Sequence, residues 1–92
     1  MATMAIRLEL LLIESVNLVR AVGEGDLSEA QFRASQVGDL AWADGNSAVG
    51  NAATNLEAAL RDADTLPSEA YEDLLAYLLA ELDVVLKPLR HQ

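Results

Sequence analysis

The chain has 92 residues, 52% of them hydrophobic, with no cysteine and a formal net charge of −9 from 15 acidic and 6 basic residues. This length supports one domain, and the absence of cysteine excludes a disulfide framework, a thiolate metal site and a thiol nucleophile. The charge argues against DNA or RNA as a direct partner and against anionic membranes, since both require a basic surface, whereas a basic protein would be steered toward the chain.

Most of the hydrophobic residues are Ala and Leu, which favour helix, and only Phe32, Trp42, Tyr71 and Tyr77 are aromatic. A reducing, cytoplasmic setting is expected. The apolar run Leu10-Leu11-Leu12-Ile13 is bracketed by Glu9 and Glu14, with no small-residue cleavage site after it. Neither export nor a membrane span is expected from it.

The first segment, roughly Ala5 to Val22, is apolar almost all round, relieved by Arg7, Glu9, Glu14, Asn17 and Arg20. A helix with so little polar surface is either the central element of a bundle or one side of a subunit interface, and it is expected to be the most buried helix. Gly23-Glu24-Gly25-Asp26 supplies residues that tolerate positive φ, a stop signal followed by a tight connection.

Ser28, with Gln31 three residues on, has the spacing of a capping box, and Leu27 and Phe32 stand where a hydrophobic staple would. The second helix should therefore start at about Glu29, with Ala30, Phe32, Ala34, Val37, Leu40 and Ala41 on its apolar stripe. Trp42 falls off that stripe: it is either a rim-of-core residue or an exposed interface anchor. Gly38 interrupts the stripe, costing about 1 kcal/mol relative to Ala unless a neighbouring helix packs close there.

Asp44-Gly45-Asn46-Ser47 reads as a turn with Asn46 or Ser47 capping a third helix that runs to about Ala63. Its stripe of Val49, Ala52, Ala53, Leu56, Ala59, Leu60 and Ala63 is built of small residues, and Gly50 and Asn51 should weaken its first turn. Ser68 or Thr65 caps the last segment, Ser68 to Pro88. There Tyr71, Leu74, Leu75, Leu78, Leu82, Val85, Leu86 and Leu89 recur at steps of three and four. Pro88 stops it, with Lys87 and Arg90 near its carbonyl end.

The expected fold is all-α, a compact antiparallel bundle of four helices in a single domain spanning residues 1–92. The alternative is three helices plus an irregular loop around 44–50. No internal repeat is evident.

Little in the sequence suggests catalysis. His91 is the penultimate residue, so no Ser-His-Asp arrangement can be assembled around an interior histidine. Glu72-Asp73 and Asp62-x-Asp64 lack the glycine and downstream Glu of a calcium loop, and no phosphate-cradling glycine motif is present. No cofactor, no metal and no enzymatic activity are expected.

Eight acids lie between residues 51 and 92, against Arg61, Lys87 and Arg90. The bland reading is that they keep a Leu- and Ala-rich domain soluble. The sharper one is that Asp62, Asp64, Glu69, Glu72 and Asp73, with Trp42 as an apolar anchor, present a negative patch to a basic cleft.

From about Leu12 to Trp42 the order of an apolar helix, then Gly23-Glu24-Gly25-Asp26-Leu27-Ser28-Glu29-Ala30-Gln31-Phe32, then a second helix ending near an aromatic resembles the N-terminal half of the bacterial colicin-like immunity family. That resemblance covers about a third of the chain and implies a small helical inhibitor of a bacteriocin nuclease. The leading expectation is an acidic inhibitor of immunity or anti-defence type that mimics nucleic-acid charge and occludes a basic nucleic-acid enzyme. The alternative is a self-associating structural or adaptor bundle, a homodimer through helix 1.

Overall fold

A computed structural model describes the backbone of residues 2–62 and 68–87, with side chains over 7–62 and 70–87. Four helices and no strand occur among the described residues: α1 (Ala2–Gly23), α2 (Leu27–Ala43), α3 (Ser47–Arg61) and α4 (Ser68–Val85). The all-α four-helix reading holds, and the region around 44–50 is a tight joint and the opening of α3 in place of an irregular loop.

Two joints of the same design set the topology. Gly25 takes a φ of +74°, which lets its own N–H reach Val22 O at 3.1 Å and the Asp26 N–H reach Ala21 O at 3.0 Å. Twenty residues later Gly45, at φ +73°, does the same: its N–H reaches Trp42 O at 3.0 Å and the Asn46 N–H reaches Ala41 O at 2.8 Å. These are Schellman turns, which satisfy carbonyls that a helix end leaves orphaned. Each then caps the following helix, Asp26 Oδ1 accepting from the Glu29 N–H and Asn46 Oδ1 from the Val49 N–H, both at 3.2 Å. The joint is therefore repeated within the chain, which the residue pattern had not suggested.

This corrects the start of α2. Asp26 is the cap, the helix begins at Leu27, and Ser28 is already helical. Asp caps as well as Ser does, and the glycine turn delivers the chain to Asp26 first. The expected staple fails with it, because Phe32 is exposed and off the core stripe.

Antiparallel pairing shows in the side chains. Arg7, early in α1, bonds Asp44 just past the end of α2, and Arg33 of α2 bonds Glu14 of α1 at 3.0 Å and Glu29 at 2.7 Å. The carboxylates of Glu14, first, and Glu29 hold the Arg33 guanidinium above its ordinary pKa. Between α2 and α3 the contact is made by small residues. A Cβ added to Gly38 would meet Ala53 Cβ at 3.5 Å, an ordinary contact distance, and Ala30, Ala34, Ala41 and Ala52 are all buried.

Leu18 of α1, Leu56 of α3 and Leu78 and Leu82 of α4 fill the centre, each fully enclosed and each stabilising the fold by on the order of 2 kcal/mol. The α4 stripe runs as its spacing predicts through Leu86, Leu89 lying outside the described residues. Gly50 is buried in a regular helix, not a weakened turn, and α3 ends at Arg61, two residues before the expected limit.

The reading of α1 as the most buried helix is overturned. It buries Leu11, Ser15, Leu18 and Ala21 among its described side chains, whereas α3 buries six residues, from Val49 to Leu60. The reason is geometric. Among the described residues the closest approaches join successive helices, α1 with α2, α2 with α3 and α3 with α4, so α3 packs closely on two helices and α1 closely on one.

Candidate interaction surface

The acids singled out in the sequence fall in different settings. Asp62 closes α3, its backbone N–H donating to Ala59 O and Leu60 O, and its residue is exposed. Glu72 and Asp73 are exposed on the first half of α4. Asp64 and the side chain of Glu69 lie outside the described residues. Because α2 and α3 run antiparallel, the joint between α1 and α2 sits at the same end of the bundle as Asp62. That brings Glu24 and Asp26, which the local pattern did not flag, to the acidic end. Among the described residues no three His, Asp or Glu side chains converge as a cation site.

Trp42 joins neither group. Its ring lies over Gly50, where an added Cβ would stand 2.6 Å from indole Cε2, while 47% of the residue stays exposed. A ring packed on one side and open on the other fits both settings its position allowed, the rim of the core and an exposed anchor.

The larger unoccupied surface is apolar and belongs to α1. Leu10, Leu12, Ile13, Val16 and Val19 are 41–53% exposed, contiguous along about three turns of one helix. Between α1 and α4 lies a groove of about 460 Å³ walled by Leu12, Val16, Val19, Leu79, Leu82 and Leu86, with Arg20 and Asp83 at its rim. The width of α1's apolar girth was legible in sequence; which part of it the other helices leave uncovered was not.

Charge is distributed unevenly between these surfaces. Residues 1–23 carry Arg7 and Arg20 against Glu9 and Glu14 and are neutral as a group, so the whole net charge of −9 lies after Gly23. Glu9 and Arg20 are both exposed, and neither has an ion-pair partner among the described residues. No described helix is long and apolar enough to cross a membrane. No protein-family model, curated protein or solved structure matches the chain.

Proposed function

We propose that this chain is a non-catalytic protein-interaction bundle of the self-associating or adaptor kind, with the outward face of α1 as its docking surface. The observation that carries the reading is the run of five half-exposed aliphatic side chains on that helix, a patch larger than isolated surface hydrophobics account for. The face is electrically neutral in a strongly acidic chain, so it can close against another protein without desolvating a net charge. A test is to place aspartate at Ile13 and Val16 together. At a concentration low enough for the parent to be monomeric, a docking face predicts unchanged helicity and an unfolding midpoint close to the parent's, in contrast to collapse of the fold for Leu18→Asp. Melting of the Ile13/Val16 variant would mean that this face belongs to the chain's own core.

A second reading is favoured by the topology. The acidic end, with Glu24, Asp26 and Asp62 at the same end of the bundle and Glu72 and Asp73 following on α4, would engage a basic protein, and the immunity-family resemblance proposes a nuclease. Such association would be fast and salt-sensitive. With a cationic probe such as poly-lysine, charge reversal at Asp62, Glu72 and Asp73 should weaken binding more than reversal of Asp39, an exposed acid on α2. Equal losses would mean that the charge acts only in bulk.

A further inference from the structure

We propose that the occupant of the α1 face is a second copy of this chain, packed antiparallel about a twofold axis that passes between residues 14 and 15. The inference rests on the docking reading above and adds the partner and its register.

The stripe pointing away from the core is Glu9, Ile13, Val16 and Arg20, spaced four, three and four residues apart, and all four residues are exposed. Leu12 and Val19 flank it on one side and Leu10 on the other. Spacing of this kind is the seam of a two-helix coiled coil, in which apolar residues meet in layers and charges close the ends.

The order along this seam is self-complementary. Turning one copy end for end about a point between residues 14 and 15 sets Ile13 against the partner's Val16 and Glu9 against the partner's Arg20, with Leu12 and the partner's Val19 meeting along one flank. A twofold interface requires this kind of match, in which the same patch serves both subunits. A cation and an anion equidistant from the middle of an apolar stripe satisfy it twice over. Both charges are exposed and without an ion-pair partner among the described residues, whereas Arg7, Arg33 and Arg61 all have carboxylate partners.

Other occupants fit less well. A small apolar ligand in the groove between α1 and α4 would cover Leu12, Val16 and Val19 but leave Leu10 and Ile13 in water. A basic partner drawn by the net charge would have no excess of acid to meet on α1. Three turns of α1 meeting their own copy would bury on the order of 1,000 Å² in total, the lower bound for specific association.

The test is a charge swap on the full chain, read by sedimentation equilibrium at low salt with helicity checked by circular dichroism. The parent should dimerise. Glu9→Arg and Arg20→Glu should each weaken dimerisation about tenfold by setting like charges together at both ends, and the double variant should recover to within about threefold. A parent dimer indifferent to the single changes, or a double variant as weak as both combined, would overturn the register while leaving self-association standing. A parent that stays monomeric into the millimolar range would overturn the second copy as occupant; the aspartate test at Ile13 and Val16 then decides separately whether the face is free to dock anything.

Discussion

The indole of Trp42 lies against the bare backbone of Gly50, so near that a methyl group at position 50 would sit 2.6 Å from its Cε2 atom. This contact brings the end of α2 onto the first turn of α3 and gives the glycine a packing role. Gly38, also buried on α2, differs, because a Cβ there would find Ala53 Cβ at 3.5 Å and fit.

The two glycines should therefore respond with opposite signs. Gly38→Ala should stabilise the fold by about 0.5–1 kcal/mol, the gain of a better helix former at a site with room for it. Gly50→Ala should destabilise it by about 1–2 kcal/mol, because the indole must shift outward. Urea unfolding gives both values, and a red shift in Trp42 emission should accompany the second change alone.

Capping gives a second separation. Asp26→Ala and Asn46→Ala should each cost about 1 kcal/mol, whereas Ser28→Ala, inside the first turn of α2, should be close to neutral. A larger loss at Ser28 than at Asp26 would restore the start of α2 expected from the capping-box pattern. Alanine at Gly25 or Gly45 should cost about 1 kcal/mol, since each holds a positive φ that a Cβ disfavours.

These residues also show how far sequence reasoning reached. Helix number, the α4 stripe and a cap at Asn46 or Ser47, which the structure assigns to Asn46, followed from periodicity and turn chemistry, both local. The α2 cap was misplaced because two overlapping signals, Asp26 and Ser28, both satisfy the local rule, and only the Schellman turn at Gly25 chooses between them. The exposure of α1 and the placement of Glu24, Asp26 and Asp62 at one end of the bundle depend on which helices become neighbours.

Arg33 ties α1 to α2 through Glu14 while holding Glu29 one turn away. Arg33→Gln should lower the unfolding midpoint, and the difference from the parent should shrink as salt is raised. The guanidinium pKa is raised in the folded state, so its contribution is complete below its unfolded pKa and lost only as pH climbs through the higher folded value. Between pH 6 and 9 the effect of losing the cation should therefore show no pH dependence arising from Arg33 itself.

The central claim is that α1 presents an interface to a second chain, and sedimentation velocity over a concentration series, comparing Ile13→Asp with Val84→Asp, tests it most directly. Both side chains are more than half exposed, Ile13 on the α1 seam and Val84 on α4 outside the α1 groove. The account predicts a concentration-dependent dimer for the parent and for Val84→Asp, and a monomer of unchanged helicity for Ile13→Asp. A parent that sediments as a monomer throughout, or a dimer that Ile13→Asp leaves intact, would contradict it.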